Sequence, residues 1–369
     1  MKLDIERGTV IQLVDQWEGI EEIMVEIKRD NQIISFERAY NYPLFTGHCN
    51  CGDQVLVNTT AVNLSLGTGG YHMVMCNLSN PNLRKDGNGH IMKLRYTPYQ
   101  FAVNCIEERE NEKSGQSDQN EQLEGMPILL IEIHSALPIL VSTLKKLNPS
   151  IHIVYIMTDG GALPVYLSRH VKALRELGWI KGVVTVGHAF GGEMEAVTVY
   201  SALLAAKKYW NPDMIIVGMG PGIVGTGTIY GHTGVEQGEN INRVSVLNGK
   251  PVFVPRISIS DHRNRHHGIS HHTLTNLSLI SLRPAYLPIW EHHLNHPIIS
   301  RQIKDYDLEN KHHIINISAE EDELLGDLEF ILSKYPLPIT TMNRDYKKDL
   351  DYFLSVITSA RGAYYLYNR

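Results

Sequence analysis

The sequence lacks the segments that would place a protein in a membrane or an export pathway. No apolar run approaches the roughly 20 residues that a membrane-spanning helix needs, and the first ten residues, MKLDIERGTV, lack the apolar core of a signal peptide. The 369 residues include only 4 cysteines, too few for a disulfide framework. We therefore expect a cytoplasmic protein in a reducing compartment, with no membrane partner.

An excess of basic charge is lacking as well. The chain has 34 Lys and Arg against 40 Asp and Glu, a formal net charge of -6, so it offers no global attraction to nucleic acid. Neither a G-x-S-x-G elbow nor a G-x-x-x-x-G-K-[ST] loop occurs. These absences argue against nucleic-acid binding, against serine hydrolases with that elbow, and against P-loop nucleotide hydrolysis.

What is present divides into three regions. In residues 1–106, short β-rich runs alternate with turn residues, which predicts a small OB-like or SH3-like β-barrel. Residues 107–125 are nearly all polar, with Leu123 as the one apolar side chain, and predict a flexible linker. Residues 126–369 form the third region, in which apolar strands alternate with helices.

That alternation predicts a doubly wound, mostly parallel, Rossmann-like α/β domain with a C-terminal helical extension. We expect strands at 128–133, 153–157, 182–186, 214–217 and 252–254, and helices at 137–147, 163–177 and 194–210. After residue 285 the pattern predicts one further strand at 313–317 and helices at 319–334 and 346–360. Whether these extend the sheet or cap it stays open at this point.

Ligands of open parallel sheets bind outside the carboxyl ends of the strands. Polar and glycine residues follow the first three predicted strands, and we take these as ligand-binding candidates: His134, Asp159, Gly160, Gly161, Gly191 and Gly192. Turns and helix caps need the same residue types, so a purely structural role is the alternative.

The fourth strand runs into a glycine loop, residues 218–227. It contains a literal G-x-G-x-x-G, and we take four of its glycines as ligand-binding candidates: Gly220, Gly222, Gly225 and Gly227. Pro221 removes one amide donor, and no acidic residue ends the next strand to bind a ribose. A dinucleotide site is therefore disfavoured, whereas an anion cradle and a structural role both remain open.

The histidine-rich segment, residues 261–272, follows the fifth strand and has three interpretations. A divalent metal could be bound by Asp261, His262, His266 and His271. An anion could be bound by Arg263, Arg265 and His266. A structural or interface loop is the third. We favour the anion, because the two guanidinium groups would repel a cation. Apart from the divalent metal of the first interpretation, the sequence indicates no cofactor.

Imidazoles that titrate near neutral pH suit acid–base chemistry, and the candidates are His188, His262 and His271. We predict a small anionic ligand, phosphorylated or nucleotide-like, and a hydrolase or group transferase rather than a dehydrogenase. The alternative is a non-catalytic metabolite-sensing or protein-interaction module whose barrel mediates self-association or partner binding. In either case we expect a homo-oligomer.

Four motifs carry a resemblance to a known family: LSLGTGGYH at 64–72, HIMKLRYTP at 90–98, the glycine loop, and ISHHT at 269–273. With these motifs the chain resembles an uncharacterised bacterial family known only as a domain of unknown function. The resemblance spans nearly the whole chain and implies a bacterial cytosolic protein. It transfers no catalytic residues.

Overall fold

The computed structural model describes residues 1–29, 32–108 and 121–369. The chain divides into two compact units, Met1–Val103 and Asn104–Arg369. Most of the predicted linker, residues 109–120, lies outside the described residues, so its flexibility stays a prediction. Leu123, its one apolar residue, is buried in the second unit at 1% exposure.

The first unit is a closed five-stranded barrel, which confirms the predicted fold. Its elements are β1 (Ile5–Trp17), β2 (Ile20–Arg29), β3 (Gln32–Asn41), α1 (Pro43–Thr46), β4 (Gln54–Asn58), α2 (Thr60–Asn63) and β5 (His72–Asn77). The strand order is β1-β2-β3-β5-β4, closed by the β4–β1 pair, and β3 pairs with β5 in parallel. This Greek-key order is that of the OB-fold. A hairpin of β6 (Ile91–Lys93) and β7 (Phe101–Val103) follows.

The second unit is built on a sheet of eight strands in which every pairing is parallel. The strands are β8 (Pro127–Ile131), β9 (Ile153–Thr158), β10 (Gly182–Val186), β11 (Met194–Ala196), β12 (Met214–Met219), β13 (Lys250–Val254), β16 (Tyr286–Trp290) and β17 (His313–Ile317). Between β13 and β16, β14 (Ile257–Ser258) and β15 (Gly268–Ile269) form a separate antiparallel pair. The order in the large sheet is β11-β10-β9-β12-β8-β13-β16-β17, which confirms the predicted α/β class.

Helices cover both faces of this sheet, as its apolar strands require. They are α3 (Ala136–Leu147), α4 (Arg169–Glu176), α5 (Val199–Trp210), α6 (Glu236–Val246), α7 (His271–Thr275), α8 (Glu291–Asn295), α9 (Pro297–Asp305), α10 (Leu308–Lys311), α11 (Glu321–Lys334) and α12 (Leu350–Tyr367). Short 3₁₀ turns lie at Val165–Leu167, Thr233–Val235 and Asn264–His266, and a π-helical turn at Asn276–Ile280 follows α7. Among the described residues, no helix is both long and apolar enough to cross a membrane.

Three predicted elements differ from the structure. The helix expected at 194–210 begins with the edge strand β11 and becomes helical at Val199, where Thr198 and Ser201 form a capping box. The helix expected at 163–177 is a 3₁₀ turn followed by α4, because the Ser168 side chain caps α4 at its own start. The last helix runs over Leu350–Tyr367 rather than 346–360.

The C-terminal elements extend the sheet and cover it. Strand β16 was not predicted, and with β17 it adds two parallel strands beyond β13. Helix α12 packs on these strands, where a Cβ atom added at Gly362 would lie only 2.3 Å from Pro288 Cβ in β16. The C-terminal region is therefore part of the α/β unit.

The strand order creates a crevice at the carboxyl ends of β8 and β12. The two strands are neighbours, but α3, which follows β8, packs into one core while α6, which follows β12, packs into the other. Loops that leave adjacent strands toward opposite faces open the space in which α/β proteins bind ligands. The glycine loop starts at this crevice.

Candidate functional site

Four imidazoles meet beside the glycine loop, and we call His232, His266, His271 and His272 the histidine cluster. The ring of His232 stacks on that of His272 with centroids 3.8 Å apart and planes at 10°. The His271 and His272 centroids are 4.2 Å apart, and the His266 centroid lies 4.9 Å from His271 and 5.1 Å from His272. One nitrogen from each of His266, His271 and His272 lies within 4.8 Å of the others.

Local structure brings these rings together from three segments. His266 ends the 3₁₀ turn Asn264–His266, and the β14–β15 pair returns the chain to Ser270. The Ser270 side chain caps α7 by accepting from the amide of His272 at 3.3 Å. The first turn of α7 therefore carries two neighbouring imidazoles toward the ring of His266.

The glycine loop lies against this cluster. After β12 the chain folds back on itself: Thr226 N donates to Gly231 O at 2.8 Å, and Thr233 N donates to Val224 O at 2.9 Å. A Cβ atom added at Gly225 would lie 3.3 Å from His272 Cε1, so only glycine allows this approach without a shift. Because the chain folds back here, the ring of His232 stacks on the ring of His272.

Gly227 makes the second close approach of the loop. Its φ of +82° is in the left-handed region that favours glycine, and a Cβ atom there would lie 3.1 Å from Arg265 Nη1. Arg265 is exposed, and its Nε donates to His266 Nε2 at 3.2 Å. The structure thus brings together five of the predicted site residues: Gly225, Gly227, Arg265, His266 and His271.

Several nitrogens of the cluster lack hydrogen-bond partners. Within the described part of the chain, neither ring nitrogen of His232 has a partner of hydrogen-bond geometry, although its exposure is only 4%. The same holds for Nε2 of His271. Buried polar atoms are usually paired, and each unpaired one costs about 1–3 kcal/mol. Such nitrogens are available to a ligand.

The imidazoles of the cluster are neutral at neutral pH. Burial lowers the pKa of His266 to about 3, with further lowering by Arg256 and Arg263, and burial lowers that of His232 to about 4. Burial followed by the charges of neighbouring histidines lowers the pKa of His272 to about 2, and burial and Arg265 lower that of His271. Of the groups predicted to bind an anion, Arg263 and Arg265 therefore carry the positive charge, and His266 carries none.

The Asp261 carboxylate accepts hydrogen bonds from three arginines. Asp261, 2% exposed, accepts from Arg256 Nη2 at 3.2 Å, from Arg263 Nη2 at 2.8 Å and from Arg344 Nη2 at 3.0 Å. Burial raises its pKa, but the hydrogen bonds and charge of Arg263 and the charge of Arg344 outweigh burial and lower it. Arg344 also binds Asp349 at 2.7 Å. Asp261 thus acts as the counter-ion of an arginine group, and His262 beside it is exposed.

Glu132 is a buried carboxyl group that contacts α7 and the turn after it. It follows β8 and is 3% exposed, its Oε1 accepts from Asn276 Nδ2 at 2.7 Å, and its Oε2 accepts from Thr273 Oγ1. Burial raises its pKa to about 7, while these hydrogen bonds and Arg256 oppose the rise. A carboxyl group with this pKa exchanges protons near neutral pH, a property common at functional sites.

The other predicted residues form a separate set of turn contacts. The Asp159 carboxylate accepts from the amides of Ala162 at 3.0 Å and His188 at 2.8 Å. His134 Nε2 lies 2.6 Å from Ser168 Oγ. Four of the predicted glycines pack closely: Gly160 against Met219, Gly191 against Tyr166, Gly192 against Val183, and Gly220 against Met157. Gly161 makes an ordinary contact with Leu163, and Gly222 is open to solvent.

The start of α6 differs from that of a helix that binds a dinucleotide. The helix begins at Glu236, well after the G-x-G-x-x-G motif, so its N-terminus is not joined directly to the glycines. Glu236 itself occupies that end and accepts from Thr158 Oγ1. A carboxylate there opposes the binding of a pyrophosphate.

Five residues of the site were missed: Glu132, His232, Arg256, His272 and Arg344. Glu132 was counted within the first predicted strand, 128–133, whereas β8 ends at Ile131 and Glu132 is the first residue after it. His272 is the last residue of the histidine-rich segment, and Arg256 lies shortly before it. Both could therefore have been predicted from their proximity to that segment. His232 and Arg344 come from distant parts of the sequence and carry no local signal.

Comparison with known proteins gives a family and no activity. A search of curated proteins found none that matches the chain. A family model described as a protein of unknown function, DUF3866, matches residues 38–360, which include the end of β3, the barrel strands β4 and β5, and most of the α/β unit. This match covers well over half of the chain, and the chain therefore belongs to the DUF3866 family.

Proposed function

We propose that the α/β unit binds a small anionic ligand beside the glycine loop and acts on it as a hydrolase or group transferase. The observation that carries this proposal is the unequal charge around Asp261. Three guanidinium groups, those of Arg256, Arg263 and Arg344, share two carboxylates, Asp261 and Asp349, and a fourth, that of Arg265, is bonded to His266. Positive charge remains at an edge where α/β proteins bind ligands.

Arg265 is the group that we assign to the ligand. It is exposed and touches the glycine loop, and no carboxylate partner is present among the described residues. Its planar guanidinium can donate two parallel hydrogen bonds to a phosphate or carboxylate. Arg263 lies two residues away with 38% of its side chain exposed, so it can assist.

Hydrolysis or group transfer is favoured over hydride transfer. The helix that a dinucleotide would need directly after the glycines starts late and carries Glu236 at its end. Glu132, with a pKa near 7, is a better acid–base candidate than the exposed His262. Its bonds to Thr273 and Asn276 place it directly behind the histidine cluster.

The test is a thermal-shift titration of chelator-treated protein with phosphate, pyrophosphate, nucleotides and sugar phosphates. A ligand at 100 times its Kd stabilises the native state by about 2.7 kcal/mol. We expect at least one anion to raise the Tm of the wild type and of Arg301→Gln, an exposed control on α9. Arg265→Gln should lose the shift. An equal shift in all three proteins, or none in any, would refute the assignment.

A second candidate function, self-association, is favoured by the barrel. Strand β1 exposes Ile11, Leu13 and Val14, each by about 40%. A second copy of the chain could cover these side chains, in keeping with the expected homo-oligomer. We expect full-length protein with Leu13→Ser to have a lower mass by light scattering than the wild type, and an equal mass would contradict this candidate.

A further inference from the structure

We propose that His266, His271 and His272 bind one divalent transition-metal ion, with a coordination position left open toward the glycine loop. This donor set differs from the one that the sequence suggests, since the structure assigns Asp261 to the arginines and leaves His262 exposed. The proposal does not rest on anion binding, because its three donor imidazoles differ from the guanidinium groups assigned to the anion. The two sites meet at Arg265, which is bonded to His266.

The spacing of the donor nitrogens is the first argument. Around a tetrahedral ion with Zn–N bonds of about 2.0–2.1 Å, ligand nitrogens are about 3.3 Å apart. The three nitrogens here lie within 4.8 Å of one another, so shifts of about 1 Å or less complete the geometry. His271 and His272 share the first turn of α7, and Ser270 caps that turn.

The unpaired nitrogens are the second argument. Nε2 of His271 is buried and has no partner among the described residues, a deficit that a metal–nitrogen bond would remove. His232, buried and unpaired, stacks on His272 and forms a wall of the site. We assign His232 as a positioning residue, because its nitrogens lie outside the set of three.

The hydrogen bonds of His266 select the right tautomer. Arg265 Nε–H donates to Nε2, so the ring proton of the neutral imidazole is on Nδ1. Nδ1 lies 2.8 Å from Ser270 Oγ, to which it donates. Metal-binding histidines usually have such an outer partner on the second nitrogen. Nε2 therefore carries the lone pair that a metal needs, and an incoming ion displaces Arg265 from it.

The arginines do not exclude a cation from this place. Arg256, Arg263 and Arg344 all donate to Asp261, whose carboxylate offsets part of their charge. Glu132 is a further acidic group behind α7 and reaches that helix through Thr273. Imidazole donors suit Zn²⁺, Cu²⁺, Fe²⁺ and Ni²⁺ rather than Mg²⁺ or Ca²⁺. Three protein ligands with an open position are the arrangement of catalytic zinc sites.

The test uses full-length protein without a polyhistidine tag, treated with chelator and titrated with Zn²⁺ in phosphate-free buffer by calorimetry. We expect one ion per chain with a sub-micromolar Kd. His271→Ala should weaken binding by more than about 100-fold, beyond the 10–100-fold typical of losing an outer partner. His262→Ala, an exposed neighbour in the same segment, is the matched control and should bind like the wild type.

Wild-type binding no tighter than about 10 μM, or equal affinities for His271→Ala and wild type, would overturn the proposal. If His271→Ala does not fold, the Co²⁺ spectrum of the wild type decides: strong d–d bands indicate a four-coordinate site, and weak octahedral bands contradict it. The anion titration of chelator-treated protein is separate. Either site can therefore fail while the other remains.

Discussion

Replacing Glu132 by Gln should stabilise the protein at alkaline pH and leave its stability nearly unchanged at acidic pH. Glu132 is buried, and its two oxygens accept from Thr273 and Asn276. Gln can keep the bond from Asn276 and donate its amide to Thr273, as protonated Glu would. The variant therefore mimics the neutral form of the native side chain at every pH.

The magnitude follows from the pKa. Burial raises the pKa of Glu132 from 4.5 to about 7 in the native state, and in the unfolded state the value returns to its ordinary range. Between these two values the native state binds more protons than the unfolded state, so stability falls as the pH rises. The shift corresponds to about 3 kcal/mol at about 1.4 kcal/mol per pKa unit. Above pH 7 the full cost is present in the wild type and absent in the variant.

The assay is urea unfolding of both proteins from pH 5 to pH 8.5 in chelator. Other titrating groups contribute equally to both, so the difference in free energy of unfolding isolates Glu132. We expect Glu132→Gln to gain about 3 kcal/mol relative to wild type across this range, most of it between pH 5 and pH 7. A constant difference, or a wild type that gains stability with pH relative to the variant, would show that Arg256 keeps Glu132 ionised.

Two further predictions concern the charged groups around the cluster. Asp261→Asn should lower the free energy of unfolding at pH 7 by about 3–5 kcal/mol, because Arg256, itself 5% exposed, loses its buried counter-ion. Since the folded-state pKa of Asp261 is lowered, its contribution is present above about pH 4 and lost as the pH falls further, which urea unfolding at several pH values measures. The control Asp305→Asn removes an exposed ion pair and should change stability by less than about 1 kcal/mol. Arg265→Ala should bind Zn²⁺ about tenfold more tightly in calorimetry, because the ion no longer has to displace the hydrogen bond to His266 Nε2. Unchanged or weaker binding would show that Arg265 does not compete with the metal.

The architecture could be predicted from the sequence because its strands carry strong local patterns. Strands β8, β9 and β12 are apolar almost throughout, and all their residues are buried, as expected for a parallel sheet covered on both faces. Strand β16 gives a weaker signal, since Pro288 interrupts a short segment that pairs only with parallel neighbours. Strand β11 has three residues, too few for periodicity to separate it from the helix that follows.

The location of the candidate site could be predicted from the sequence, but the charge states and contacts of its side chains could not. The glycine loop and the histidine-rich segment were recognised because glycine and histidine are conspicuous at strand ends. The charge state of the histidines was not accessible, because it depends on burial and on arginines that only the fold brings close. Arg344 and Asp349 come from near the end of the chain and reach Asp261 and Ser258 through tertiary contacts. Their effect on the segment has no local sequence signal.

If residues 261–272 formed one uniformly charged segment, its two arginines would repel a metal. The structure divides it: Asp261 draws Arg256, Arg263 and Arg344 to one carboxylate, while α7 presents neutral imidazoles to the glycine loop. Arg265 alone lies between the two groups, bonded to His266 and in contact with Gly227. If an ion displaces it, the freed guanidinium is available to an anion beside the metal. Anion and metal binding are then complementary uses of one edge of the sheet, and Arg265 is the residue through which they would interact.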